Sequence, residues 1–191
     1  MGRKAEEKRD LILEQARKIF LNQDFDQVTM TAIINACGIS HGGIYRYFAS
    51  PSEIFVTLFE RDTHTLLDAV SISMWEQRSA VDILKEVFKV YQNAIWDPEP
   101  NMAARYNTFF KNHPEKQDVK RNQIDRFIKI IAQVLVYGNE RGELNSVDST
   151  FWANQLVYYL EGLDHNVSVI GLKQKEVENL FILWLEHLQN D

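Results

Sequence analysis

The chain has 191 residues, is 45% hydrophobic and 25% charged, and carries a formal net charge of −6. That is enough apolar material for one medium domain, or for a small domain fused to a larger one, each with its own core. The acidic balance excludes a protein that coats nucleic acid over its whole surface, and the single cysteine, Cys37, excludes an intrachain disulfide and any multi-cysteine zinc site.

Helical periodicity dominates, with no run of period-two alternation bounded by hairpin turns, so the predicted fold is all-α with about nine helices. The first helix is predicted over residues 5–22, where Ile12, Ala16, Ile19 and Phe20 form an apolar stripe, and it stops at NQDFD. A short second helix follows, capped by Thr29 or Thr31 and running through Ile33, Ile34 and Ala36 to Gly38. Ser40 can cap a third, over residues 41–47. FASPSE then supplies Ser50 as N-cap, Pro51 at the first helical position and Glu53 three residues after the cap, which starts a long fourth helix reaching to about residue 73. Later helices are predicted at 80–96, 101–112, 115–138, 148–168 and 173–189, separated by WDPEPN, NHPEK, GNERGELN and Gly171. The expected organisation is a small N-terminal domain over 1–50, joined directly through the fourth helix to a larger helical domain over 51–191.

GISHGGIYRYF, Gly38 to Phe48, carries the functional signal. Ile39, Ile44, Tyr47 and Phe48 could cover one helix face, yet Gly42 and Gly43 interrupt it, and each glycine costs a helix roughly 1 kcal/mol relative to alanine. Two short helices joined by Gly38-Ile39-Ser40, with longer helices before and after, make a helix-turn-helix. Its second helix lies in the major groove with its N-terminal residues nearest the bases, and glycine lets the backbone come close. Ile44 and Phe48 are expected to pack inward, Tyr45 and Tyr47 to direct hydroxyls at the DNA backbone, and Arg46 to reach a phosphate or guanine. The candidate DNA-contacting set is Thr29, Thr31, Ser40, His41, Gly42, Gly43, Tyr45, Arg46 and Tyr47. The bland alternative is a glycine-containing loop.

The stretch Thr29 to Phe55 resembles the TetR/AcrR family of transcriptional regulators. Thr29, Ile33, Gly38-Ile39-Ser40, Gly42, Ile44-Tyr45, Tyr47-Phe48, Ser50 and Ile54 follow the family's pattern in order and spacing. Phe25-Asp26 looks like the family's start, and GNERGELN followed by LVYYLEGL is similar to its penultimate-helix region. The resemblance is strong over residues 5–60 and extends to the rest in layout. It implies a homodimer whose last two helices pack with their mates as a four-helix bundle, a palindromic operator, and a small-molecule effector held in the larger domain. The chain departs from the family at Ile34 and Cys37, where alanine is usual, and at Pro51, where a lysine commonly contacts phosphate. Loss of that contact throws weight onto helix-terminal amides or onto Arg3, Lys4, Lys8 and Arg9.

The larger domain offers two candidate surfaces. Trp152, Leu156, Tyr159, Gly162 and Leu163, with Phe181, Trp184 and Leu188 on the last helix, are the expected dimer interface, the alternative being that these faces are all intramolecular core. Phe88, Tyr91, Trp96, Met102, Tyr106, Phe109, Phe110 and Tyr137 could line a cavity for an apolar or aromatic effector, though each is individually more at home in a core.

An enzyme is the main rival. The five histidines are scattered, phosphate-loop and nucleophile-elbow motifs are missing, and Glu161 with His165 at i, i+4 is the only tempting metal pair, so neither catalytic residues, metal nor cofactor are expected. A second rival is a helical protein-interaction module without specific DNA binding, favoured by Pro51 and by a weak basic bias: residues 1–50 hold seven Lys and Arg against six Asp and Glu. The chain contains no apolar run of the roughly 18 residues a membrane helix needs, and its N-terminus, MGRKAEEKRD, is charged, so a cytoplasmic protein is expected.

Overall fold

The computed structural model describes residues 2–96, 99, 101–145 and 147–189, with the side chains of 164 and 165 left out. The centre of the WDPEPN breaker and the His165 half of the Glu161/His165 pair therefore lie outside the described residues. Every regular element among those described is helical: α1 (Arg3–Asn22), α2 (Met30–Cys37), α3 (His41–Ile44), α4 (Pro51–Trp75), α5 (Ala80–Trp96), α6 (Met102–Asn112), α7 (Gln117–Glu140), α8 (Ser149–Ile170) and α9 (Gln174–Gln189). Single 3-10 turns stand at Phe25–Gln27 and Pro114–Lys116. None of these helices is long and apolar enough to cross a membrane.

The caps explain where the early helices start. Thr29, rather than Thr31, caps α2, its Oγ1 accepting from the Ala32 amide at 3.2 Å. Gly38 ends α2 in the left-handed region, at φ 62°, which glycine enters without strain. Ser40 caps α3 by accepting from the Gly43 amide at 3.3 Å. The capping box at α4 forms with a shift: Ser50 Oγ accepts from the Glu53 amide at 3.2 Å, while the Glu53 carboxylate reaches back to the Ala49 amide, at 2.6 Å.

The third helix is shorter than predicted. It closes at Ile44, and Tyr45–Tyr47 wind as a turn in which the Tyr47 amide donates to the Ile44 carbonyl at 2.9 Å. Phe48 must be turned inward, where it is 1% exposed, two residues before the cap of α4, and the tighter winding delivers it there.

Compactness divides the chain differently from a cut at residue 50. One unit comprises Met1–Thr63 with Glu99–Val119, the other His64–Pro98 with Lys120–Asp191. The first unit's core joins Ile12, Leu13, Ala16 and Phe20 of α1 to Ile33 and Ile34 of α2, Ile44, Phe48, and Ile54, Phe55, Leu58 and Phe59 of α4. α6 completes it: the Phe109 ring lies 4.6 Å from both Phe25 and Phe55, and Phe110 lies 4.7 Å from Phe59. A half-buried polar knot ties the same helices, since Asp62 of α4 accepts from both the Arg17 guanidinium of α1 and the Tyr106 hydroxyl of α6, the latter at 2.7 Å. Burial, then the neighbouring Asp62 carboxylate, pushes the Tyr106 hydroxyl far above its ordinary pKa, so it remains a donor.

The second unit packs α5, α7, α8 and α9 around Leu84, Val87, Phe88, Ile131, Leu156, Leu160, Leu163 and Phe181. Phe88 and Phe181 stack at 3.9 Å. Gly138 marks a close approach there: a Cβ at this position would stand 2.6 Å from Leu144 Cδ1 and 2.7 Å from Ala80 Cβ. Glu143 closes the start of α5, accepting from the Ala80 amide at 2.6 Å and from Ser79 Oγ at 3.0 Å.

Candidate nucleic-acid interface

The helix-turn-helix occupies residues 30–48 of the first unit, with α3 as its second helix. Burial sorts its side chains. Ile33, Ile34, Ile44 and Phe48 anchor the motif in the core, while Thr29, Thr31, Ser40, His41, Gly42, Tyr45 and Arg46 are exposed and Gly43 and Tyr47 half-buried. All nine candidates from the sequence thus lie on or beside one short segment. His41 and Tyr45, one helical turn apart, stand with rings 6.4 Å apart at 28°, so they share an outward face.

The paired glycines have separate reasons. A Cβ on Gly43 would stand 2.7 Å from Ile39 Cγ2 and 3.0 Å from the capping Ser40 Oγ, so glycine there lets the turn fold onto α3. A Cβ on Gly42 would meet nothing within 4 Å. The fold does not require Gly42, whose bare backbone faces outward in the first turn of α3, beside His41.

The supporting cations are partly engaged. Arg9 of α1 lies over the Phe48 ring at 5.1 Å, and Arg3 pairs with Glu7 at 3.2 Å. Pro51 begins α4, as its fixed φ and missing amide favour. Cys37 is half-buried at the end of α2, and burial pushes its thiol above the usual pKa, away from the reactive thiolate.

The other two candidate sets fare differently. The eight proposed pocket residues divide between two cores: Phe88, Tyr91, Trp96 and Tyr137 belong to that of the second unit, whereas Met102, Tyr106, Phe109 and Phe110 are buried in that of the first. The apolar stripe of α6 turned out to serve the helix-turn-helix scaffold. Tyr137 is also committed, its hydroxyl donating to the Arg78 carbonyl at 2.9 Å. Around Tyr91, sequence reasoning missed a polar group. Tyr91 donates to Glu161 Oε1 at 3.2 Å and Lys120 pairs with Glu161 Oε2 at 2.6 Å; elsewhere on α7, the buried Gln123 Oε1 has no hydrogen-bond partner among the described residues. Burial, reinforced by Glu161, raises the Tyr91 hydroxyl well above its ordinary pKa.

Of the expected dimer residues, Leu156, Leu163, Phe181 and Leu188 are buried within their own unit, and Trp152, Tyr159, Gly162 and Trp184 are half-buried. The large apolar side chains left exposed on α8 and α9 are Val169, Ile170 and Ile182 and four others: Phe151 (52%), Tyr158 (59%), Leu180 (48%) and Leu183 (60%). With Gly162 these four recur at i, i+7 and i+11 along α8, and at i and i+3 along α9, a second stripe that the sequence carries beside the core one.

Comparison with known proteins agrees with this geometry. The sequence model for bacterial regulatory proteins of the tetR family matches residues 12–58, which runs from the core of α1 through the helix-turn-helix into α4. The HTH-type transcriptional regulator YfiR of Bacillus subtilis is 27% identical over 142 residues, covering 71% of this chain and 67% of that protein. Among solved structures, reduced NemR of E. coli superposes with a TM-score of 0.73 at 15% identity, covering 95% of this chain and 97% of that one. NalD of Pseudomonas aeruginosa, described as the secondary repressor of the MexAB-OprM multidrug efflux pump, does so at 0.64 and 17%, covering 98% of each. Residues 12–58, in which Ile44 and Phe48 anchor the second helix of the motif and His41, Gly42, Tyr45 and Arg46 stand exposed, thus match bacterial regulatory proteins of the tetR family, and the fold of the chain is similar to that of those solved structures.

Proposed function

We propose that the chain is a cytoplasmic, ligand-responsive repressor that binds a palindromic operator as a homodimer. Residues 1–50 supply the DNA contacts and residues 51–191 the dimer and effector surfaces. The observation that carries the reading is the outward face of α3, where exposed His41, Gly42, Tyr45 and Arg46 stand on a helix whose opposite side is locked into the core. His41 and Arg46 read base edges, Tyr45 and Tyr47 hold the phosphate backbone, and the first-turn amides of α3 take up part of the role lost with lysine at position 51. Thr29, Thr31 and Ser40 flank this face.

Dimerisation runs through α8 and α9 by way of the exposed Phe151, Tyr158, Leu180 and Leu183. Gly162, where a Cβ would meet only Asn166 Nδ2 at 3.7 Å, lets the helices approach. Two recognition helices related by a two-fold axis read half-sites one helical turn apart or a multiple of it. The effector acts in the larger unit near Phe88, Tyr91 and Trp96, whose rings favour an aromatic body. It relieves repression by its differential affinity for a dimer geometry that no longer matches the groove.

The test is fluorescence anisotropy of the purified protein on the duplex upstream of its own gene and on a scrambled duplex, over a salt series. Salt-sensitive binding that favours the native duplex by about a thousandfold is expected. Salt-independent or absent affinity for every duplex, including those recovered by selection from random DNA, overturns the reading in favour of a helical interaction module.

A further inference from the structure

The first unit contains a cleft of about 170 Å³ between the end of α1, the connector that leads to α2, and α6. Its floor is aromatic. Phe20, Phe55 and Phe109 are buried, and the half-buried Phe25 ring lies 4.6 Å from Phe109 and 5.2 Å from Phe55, so several phenyl rings converge on one small volume. Its rim is acidic. Asp24 and Asp26 border it with carboxylates 71% and 69% exposed, against the single guanidinium of Arg105.

Those charges are unequally satisfied. Arg105 is committed to Asp24 at 2.7 Å and to the Leu21 carbonyl at 3.1 Å. Among the described residues Asp26 pairs with the His113 imidazole, at 3.4 Å, and that ring is itself held against Phe25 and Phe109 with its other nitrogen 3.2 Å from Glu115. Before any charge on His113 is counted, the rim is one negative charge in excess. Phenyl faces and an under-paired carboxylate around one opening both favour a cation with an apolar body.

We propose that this cleft binds a small organic ammonium ion, its ring seated against the half-buried Phe25 and its charged nitrogen at Asp26. The volume lies well below the roughly 300–1,000 Å³ of sites for drug-sized ligands, which limits the occupant to about one ring with a short amine arm. The site belongs to the first unit and Tyr91 to the second, and an occupant bridges the connector entering α2 to α6, both of them parts of the first unit.

The test uses the full chain without DNA, so its outcome is independent of operator binding. Backbone amide shifts are followed by NMR during titration with benzylammonium, with benzyl alcohol and benzoate as isosteric controls. Saturable shifts confined to the cleft, at residues 20, 24–27, 55 and 105–113, are expected, with benzylammonium binding about tenfold more tightly than benzyl alcohol and benzoate weakest. Asp26→Asn, a surface change that leaves the Phe25 packing alone, should remove that tenfold preference without altering thermal stability. Shifts elsewhere in the chain, no saturation, equal affinity for the alcohol, or an unchanged preference in Asp26→Asn each overturn the proposal.

Discussion

Replacing Gly42 by alanine separates the needs of the fold from those of DNA. In the free protein the added methyl meets nothing within 4 Å, so no steric penalty arises. Alanine has less backbone freedom to lose in a helix, and near an N-terminus this stabilises by about 0.5 kcal/mol, or roughly 1–2 °C in Tm for a chain of this length. On DNA the same methyl stands between the first turn of α3 and the phosphates. If it breaks one charge-assisted hydrogen bond of about 1.5 kcal/mol per half-site, a dimer on a two-half-site operator loses about 3 kcal/mol, roughly a hundredfold in affinity. Gly43→Ala is the internal control, since its Cβ at 2.7 Å from Ile39 Cγ2 and 3.0 Å from Ser40 Oγ forces the turn to give and lowers stability by about 1–3 kcal/mol. Circular-dichroism melts and anisotropy on a selected operator measure both quantities. A Gly42→Ala protein that melts no lower than wild type yet binds within twofold of it would refute the close approach of α3 to DNA.

Four further outcomes are expected. His41→Ala and Arg46→Ala should weaken operator binding selectively, while Tyr45→Phe and Tyr47→Phe weaken it on all duplexes; equal losses on specific and random DNA for all four would remove that division of labour. Leu183→Glu, at an exposed position, should leave the melt nearly unchanged and convert a dimer of twice 22.3 kDa to a monomer in sedimentation; a wild-type mass near one chain at micromolar concentration would rule out the dimer. Asp62→Ala strands the Arg17 guanidinium and the Tyr106 hydroxyl, and should lower urea stability by about 2 kcal/mol, a loss under 0.5 kcal/mol showing the knot to be incidental. Burial raises the Glu143 carboxyl, but hydrogen bonds from Arg141, the Ala80 amide and Ser79 outweigh it and hold the pKa below its ordinary value. Its contribution is therefore full above the unfolded-state value and lost as pH falls through the lower folded one. The Tm advantage of wild type over Glu143→Gln should be constant from pH 8 to about 5 and shrink below about 4, and an advantage that grows in acid would contradict the assignment.

Local signals made much of this legible. Thr29, Ser40 and Ser50 announce helix starts because a side-chain oxygen beside an orphan amide acts at short range, and glycine or proline marked most later breaks. The end of α3 was not legible, because it depends on burying Phe48 ahead of the next cap, a tertiary requirement. The fate of α6 was not legible for a related reason: the spacing of Tyr106, Phe109 and Phe110 says that the helix has an apolar face without saying which core receives it. On α8 the sequence carries two apolar stripes, Leu156 with Leu163 and Phe151 with Tyr158. Periodicity cannot rank them: Leu156 and Leu163 are buried within their own unit, while Phe151 and Tyr158 are exposed. The residues of the helix-turn-helix were readable because one segment of chain supplies them all. The Tyr91, Lys120 and Glu161 group, drawn from three helices, was not.

The dependence of the reading unit on α6 bears on how such a protein can be cut or recombined. Phe109 and Phe110, from a segment some fifty residues downstream of the helix-turn-helix, fill the space against Phe25, Phe55 and Phe59, and Arg105 holds the connector at Asp24. A chimera that exchanges only the first fifty or sixty residues leaves a foreign α6 facing these rings, with cavities or clashes of the kind that cost a core several kcal/mol. Exchange of DNA specificity between regulators of this design therefore calls for grafting the outward residues of α3 onto an intact scaffold, or for moving residues 99–119 along with the N-terminal segment.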